Sequence, residues 1–84
     1  MKRTEILEKV VGILNTNYLS DLPEEVSEET SFEELYLDSL DRIELSMMID
    51  DEFKIITDDK EWEFSKTIKD AVDIIQKHIG DEEG

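Results

Sequence analysis

A chain of 84 residues has room for one domain with a single hydrophobic core. Its 24 acidic residues against 9 basic ones give a formal net charge of −15, which repels nucleic acid and anionic membranes and favours partners with basic patches. The chain has no cysteine, which excludes disulfides and thiolate zinc sites, and no apolar run typical of a signal peptide or a membrane span. We therefore expect one cytoplasmic domain over residues 1–84, with residues 1–2 and 81–84 frayed.

The first predicted element is an amphipathic helix from about residue 3 to residue 17. Its apolar residues recur at intervals of three and four, and polar residues fall between them. These apolar positions are Ile6, Val10, Ile13 and Leu14, with Tyr18 beyond them. Residues 15–23 contain Asn, Ser, Asp and Pro, which end helices and form turns, so we expect the helix to stop there.

A long connection follows over residues 20–38, and a structureless loop of this length is unusual in so small a domain. We therefore expect its apolar side chains Phe32, Leu35 and Leu37 to anchor it to the core. Ser31 is placed to cap a short turn in which Phe32 and Leu35 point the same way. Such an anchored loop would hold the start of the next helix in place.

The second helix is predicted to begin at Ser39. Asp38 is a good N-cap, and Asp41 three residues later completes a pattern resembling a capping box. Ser39 is then the first helical residue, and its hydroxyl faces solvent beside backbone N–H groups that have no partner within the helix. An anion attached to this hydroxyl would meet favourable charge. An ordinary helix start contains the same residues, so this pattern alone leaves both interpretations open.

Apolar residues lie on two opposite sides of this second helix, which extends to about residue 53. The stripe that we expect in the core consists of Leu45, Ile49 and Phe53, with Met48 at its margin. The stripe that we expect to be at least partly exposed consists of Leu40, Ile43 and Met47. The acidic residues around that second stripe are Asp41, Glu44 and Asp51. An exposed apolar stripe with a polar rim is typical of a binding surface, whereas a helix sandwiched in the core would bury both stripes.

Two further helices are predicted in the C-terminal half. Asp58 or Asp59 is placed to cap a short third helix. Thr67 begins a pattern like a capping box, and apolar residues follow at helical spacing over residues 68–79, before Gly80 stops the helix. The fold class that we predict is all-α, a small four-helix bundle with three main helices, a short third helix and a long loop between helices 1 and 2.

Neither an enzyme nor a metal site is predicted. A hydrolase built on Ser39 would need His78 as its base, yet this single histidine lies near the end of the last helix and no glycine elbow surrounds the serine. We expect His78 to be a helix-end residue that favours the dipole when protonated. The paired acidic residues lack the order of ligands, glycine and glutamate that an EF-hand calcium loop requires.

The segment before and within the second helix resembles the signature of acyl carrier proteins. The matching motif reads Phe32-x-x-Leu35-x-x-Asp38-Ser39-Leu40-Asp41, followed by Ile43-Glu44-Leu45 and an acidic helix end at Phe53. With the final helix that starts at Thr67, the likeness covers nearly the whole chain. Within this segment two residues depart from the family's pattern: Tyr36 stands where the family usually has glycine, and Arg42 places a positive charge in the first helical turn.

This resemblance implies that a phosphopantetheinyl transferase attaches 4′-phosphopantetheine to Ser39, with Asp38 and Leu40 beside it at the cofactor site. Acyl groups would be carried as thioesters on the terminal thiol of this arm, which suits a chain without cysteine, and delivered to fatty-acid or related enzymes. The partner-binding residues that the resemblance implies are Asp41, Ile43, Glu44, Met47 and Asp51. The acidic ones would contact basic docking patches on these enzymes, the apolar ones would fill shallow apolar pockets, and we expect the carrier to be a monomer.

The competing hypothesis is an unmodified acidic helical adaptor that binds basic protein surfaces. It would have the same charge and the same exposed stripe but would give Ser39 no special role.

Trp62 and Phe64 make the third-helix region more aromatic than is common among acyl carrier proteins. A carrier dedicated to one enzyme set is therefore as compatible with the sequence as a general fatty-acid carrier.

Overall fold

A computed structural model describes residues 2–17 and 26–79, and these ranges contain four helices. They are α1 (Arg3–Asn17), α2 (Ser39–Phe53), α3 (Asp59–Glu63) and α4 (Ile68–Ile79). The predicted all-α fold, with three main helices and a short third one, is confirmed. The predictions for Tyr18, for the turn that ends at Pro23, and for Gly80 and the tail lie outside the described residues. None of the helices in the described ranges has the length and apolar character needed to cross a membrane.

The core is one cluster of buried apolar side chains from all four helices and from the loop before α2. The helix residues with no exposed surface are Ile6, Val10 and Leu14 of α1, Leu45 and Ile49 of α2, Trp62 of α3, and Ile68, Ala71, Val72 and Ile75 of α4. The predicted inward stripe of α2 is therefore in the core. Its last member, Phe53, is half-buried and packs against the edge of the cluster.

The loop before α2 is held by both its side chains and its backbone. The predicted anchors Phe32, Leu35 and Leu37 are all buried. The backbone N–H of Phe32 donates to the carbonyl of Lys66 at 2.9 Å, and that of Ile68 donates to the carbonyl of a loop residue at the same distance. These bonds join the loop to the segment that starts α4, so α2 begins at a defined place in the fold.

The short helix α3 is fixed to α2 through one hydrogen-bonded chain. The indole Nε1 of Trp62 donates to the hydroxyl oxygen of Thr57 at 2.8 Å, and this hydroxyl donates to Oδ1 of Asp50 at 2.8 Å. Asp58, rather than Asp59, is the N-cap, because its carboxylate accepts a backbone N–H and its own N–H donates to Glu61 at 3.0 Å. Burial of a hydrogen-bonded indole thus compensates for the small length of α3.

Arg3 joins α1 to the rest of the bundle. Its guanidinium pairs with Glu28 in the loop and donates to Oδ1 of Asp73 on α4 at 2.8 Å. Hydrogen bonding to Glu28 is the largest influence on the pKa of Arg3, which lies above its ordinary value despite partial burial. All three guanidinium nitrogens of Arg3 thus donate to side-chain oxygens, those of Glu28, Asp73 and Gln76.

Candidate functional site

The start of α2 has the capping box that the sequence predicts. Asp38 has extended backbone angles, and its Oδ1 accepts the N–H of Asp41 at 3.0 Å. In return, the N–H of Asp38 donates to Oδ2 of Asp41 at 3.3 Å. Two aspartates thus perform the reciprocal capping usually made by Ser or Thr with Glu or Gln, and they fix the backbone on both sides of Ser39.

Ser39 is the first residue of a helix of 15 residues, and it is exposed. The N–H groups of Ser39 and Leu40 belong to the first turn, where α-helical N–H groups have no carbonyl partner within the helix. The partial positive charge of this helix end favours an anion on the Ser39 hydroxyl. A group attached there would need no desolvation of the serine, because its side chain already faces water.

Tyr36, three residues before Ser39, has a left-handed backbone with a φ of 60°. Its N–H donates to the carbonyl of Glu33 at 3.0 Å, so the conformation closes a tight turn. A non-glycine residue in this region costs about 1–2 kcal/mol. The tyrosine side chain is 90% exposed and so compensates little of this cost by packing. The backbone at this position therefore adopts a conformation that glycine favours, although the residue is a tyrosine.

One side of α2 remains open to solvent, and we call it the α2 face. Its two most exposed apolar residues are Leu40 at 67% and Met47 at 63%, with Glu44 and Asp51 also exposed. Its half-buried members are Asp41 and Ile43, the latter in contact with the core cluster. Within residues 2–17 and 26–79, the second apolar stripe contributes to the core only through Ile43, so the alternative of a sandwiched helix is wrong.

A groove of about 550 Å³ lies beside this helix start, between the loop and the end of α3. The N-cap Asp38 and Arg42 in the first turn of α2 line it on one side, and Ser65 and Lys66 line it from the segment after α3. Sequence reasoning placed Arg42 in the first turn but did not predict that its guanidinium would lie over the ring of Phe32, 5.8 Å from the centroid. The groove thus contains two cations, Arg42 and Lys66, together with the carboxylates of Glu33, Asp38 and Glu63.

His78 pairs with Glu61 of α3, an interaction that the sequence did not reveal. The ring Nε2 lies 2.9 Å from Oε2 of Glu61. Burial raises the pKa of Glu61. Hydrogen bonds from the Asp58 backbone and from His78 lower it by more, so the net pKa is below its ordinary value. The two residues are 17 positions apart, and no local pattern connects them. The single histidine of the chain is therefore part of a contact between helices.

A family model of phosphopantetheine attachment sites matches residues 4–75. An acyl carrier protein of Thermosynechococcus vestitus is 44% identical over 80 residues, which cover 94% of this chain and 98% of that protein. The chain belongs to the acyl carrier protein family. An acyl carrier protein of Phenylobacterium zucineum is 40% identical over 92% of this chain and 98% of its own length.

The fold comparison agrees with this membership. The crystal structure of an acyl carrier protein from Thermotoga maritima superposes with a TM-score of 0.85 at 38% sequence identity. The match covers 94% of this chain and 92% of that one. The arrangement of the helices is thus the acyl carrier fold.

Family membership confirms the role that the resemblance implied. The chain is a carrier of acyl groups that uses 4′-phosphopantetheine, and it is not an enzyme. It acts with enzymes that build acyl chains, and the unmodified adaptor is not favoured.

Proposed function

We propose that Ser39 is the residue that carries phosphopantetheine, with Asp38 and Leu40 completing the attachment site. The observation that supports this is an exposed hydroxyl on the first residue of a capped helix of 15 residues. The residues present fit the group, because the helix end suits a phosphate and the groove beside it contains an arginine with an unsatisfied buried N–H. The arm supplies a thiol on which acyl groups are carried as thioesters.

The residues of the site act on the serine rather than on the acyl group. The capping box of Asp38 and Asp41 keeps the Ser39 backbone in one conformation, so the hydroxyl is presented to a transferase at a constant position. In the transfer, a bond forms between the serine oxygen and the phosphorus of the pantetheinyl phosphate. The bond from that phosphorus to the adenosine bisphosphate part of coenzyme A breaks, and the hydroxyl proton is released.

The α2 face is the surface on which we propose that partners dock. Exposed Leu40 and Met47 would enter shallow apolar pockets, while Asp41, Glu44 and Asp51 would face basic residues of the transferase and of fatty-acid or related enzymes. A net charge of −15 supports fast, salt-sensitive association with basic protein patches and opposes association with nucleic acid. We propose a cytoplasmic monomer that passes between these enzymes.

The attachment site is tested by intact mass after incubation with coenzyme A, Mg²⁺ and a broad-specificity phosphopantetheinyl transferase. We expect the wild type to gain the mass of one phosphopantetheine group and Ser39→Ala to gain none. Ser27→Ala is the matched control, because it removes another exposed serine hydroxyl, and it should be modified like the wild type. A mass gain in Ser39→Ala would assign the arm to another residue.

The docking face is tested by reversing one of its charges. Glu44→Lys should slow modification at low salt and weaken the salt dependence of the rate, because an attractive contact becomes repulsive. Glu8→Lys on α1 changes the net charge by the same amount at an exposed position away from the α2 face, so its rate should fall less. Equal effects of the two substitutions would mean that only net charge matters.

A further inference from the structure

Arg42 lies on the side of α2 that faces the core. It precedes Leu45 by three positions and Ile49 by seven, which is the spacing of one helix face. Both of those residues are fully buried, and Arg42 is half-buried above the ring of Phe32. A charged residue thus occupies the register of a core residue in the first turn of the helix.

The hydrogen-bonding capacity of Arg42 is hardly used in the described part of the chain. A guanidinium has five N–H donors, and Nη1 of Arg42 makes one long contact of 3.5 Å with the carbonyl of Leu37. Its Nε is buried and has no hydrogen-bond partner. A buried N–H without a partner costs free energy, and a cation near a helix N-terminus is also unfavourable. The stacking on Phe32 offsets only part of this cost.

The groove beside Arg42 is suited to an anion that is tethered, rather than to a free one. Arg42 and Lys66 provide two positive charges, but Glu33, Asp38 and Glu63 also line the groove. These carboxylates and the net charge of −15 repel an anion arriving from solution. An anion covalently attached to the neighbouring Ser39 is present at a high effective concentration and does not have to overcome that repulsion by diffusion.

We propose that Arg42 is a positioning residue that donates hydrogen bonds to the phosphodiester on Ser39, an inference that rests on the proposed attachment site. Residues three apart on a helix are neighbours, with Cβ atoms about 5–6 Å apart. An arginine side chain at this spacing reaches the two non-bridging oxygens of a phosphodiester, which share its single negative charge, through its planar fork of donors. Arg42 thereby fixes the direction in which the flexible arm leaves the protein.

A thermodynamic cycle tests this contact. Urea unfolding is measured for the unmodified and modified forms of the wild type and of Arg42→Met, which keeps an apolar stem against Phe32 and removes the charge. Modification lowers the equilibrium constant of unfolding by a certain factor. We expect this factor to be about ten times larger in the wild type than in Arg42→Met, which corresponds to one hydrogen bond between charged groups. If Arg42 were purely structural, its substitution would change the stability of the unmodified and modified forms equally.

Lys66→Met is the matched control, because it removes the other positive charge of the same groove. Modification should stabilise this variant as it stabilises the wild type. Equal loss of the stabilisation in both variants would overturn a specific contact with Arg42, since any nearby positive charge would then suffice.

A spectroscopic test uses the wild type and therefore does not depend on the folding of a variant. The chain contains two arginines, and Arg3 is already paired with Glu28 and Asp73. The Nε–Hε NMR signal of Arg42 should shift on modification, while that of Arg3 stays in place. Inorganic phosphate added to the unmodified protein should move neither signal, and a saturable shift of Arg42 with free phosphate would overturn the tethered mode.

The outcomes separate the two proposals. A mass gain on Ser39 with an unmoved Arg42 signal and equal stabilisation of wild type and Arg42→Met would overturn the role of Arg42 alone. No mass gain on the wild type would overturn the attachment site, and the role of Arg42 would be lost with it.

Discussion

The helices α2 and α3 begin with the same local structure but differ in everything around it. Asp38 and Asp58 are both N-caps in extended conformation, and each forms a reciprocal capping box with an acidic residue three positions later. After the first cap comes an exposed serine on a helix of 15 residues, next to a groove that contains Arg42. After the second comes a helix of five residues whose Trp62 is buried.

This difference shows that a helix cap by itself is not a functional site. The capping box fixes a backbone, and the residues that the fold places around it decide whether that backbone presents a reactive group. At α2 the surroundings are open, and the cap holds Ser39 at an exposed position. At α3 the surroundings are the protein's own core and His78, so the cap serves packing.

The largest expected effect concerns the anchor of α3. Trp62→Ala should lower the free energy of unfolding by about 3–5 kcal/mol, because it leaves a cavity and removes the hydrogen bond to Thr57. Phe64→Ala, at an exposed aromatic residue two positions later, should change it by less than about 0.5 kcal/mol. Urea unfolding followed by circular dichroism measures both values. Similar losses in the two variants would show that α3 is not held by its indole.

Removal of the two caps compares the helix starts directly. Asp38→Ala and Asp58→Ala should each lower the free energy of unfolding by about 1 kcal/mol, the usual value of an N-cap. The rate of phosphopantetheine transfer, followed by intact mass under conditions where both variants are folded, should fall only in Asp38→Ala. Equal rates in the two variants would show that the transferase does not need the cap of α2 in order to reach Ser39.

A smaller effect is expected at the strained turn before α2. Tyr36→Gly should raise the free energy of unfolding by about 0.5–1 kcal/mol, because glycine adopts a positive φ without a steric penalty but has more conformational entropy to lose. Lys54→Gly provides the matched comparison, since Lys54 ends α2 with a φ of 58°. Thermal unfolding measures both. A loss of stability in Tyr36→Gly alone would mean that the tyrosine side chain packs against the site.

The smallest effect concerns pH and the α3 side of the comparison. The pKa of Glu61 in the folded protein lies below its ordinary value of 4.5, so its ionised form stabilises the fold above that pH. This contribution is lost as the pH falls through the lowered folded-state pKa. The difference in stability between the wild type and Glu61→Gln should therefore shrink, by at most about 1 kcal/mol, from about pH 6 to about pH 3. An unchanged difference would contradict the pairing.

Local sequence patterns were enough to predict the helices and their starts. The boundaries of α1 and α2, the cap at Asp38 and a short helix capped by Asp58 or Asp59 all follow from the spacing of apolar residues and from capping chemistry within four positions. The buried anchors Phe32, Leu35 and Leu37 were also predictable, because a long loop in a small domain needs apolar contacts.

Contacts between distant positions were not predictable. The pairing of Glu61 with His78 joins two helices, and the orphaned Nε of Arg42 depends on how the loop covers the first turn of α2. The positive φ of Tyr36 is a further example, since propensity alone disfavours it and the tertiary fold imposes it.

The sequence by itself determined that this chain is a small acidic helical bundle with a serine at the start of its second helix and an arginine three residues later, because helix formation and capping depend on neighbouring residues. Only the tertiary structure decided between an open and a sandwiched second helix, and only it showed that the Nε of Arg42 is buried without a hydrogen-bond partner. The physical reason is that burial depends on the packing of the folded chain. The position of a residue along a helix fixes the side of the helix on which it lies, and the neighbouring elements determine what that side contacts.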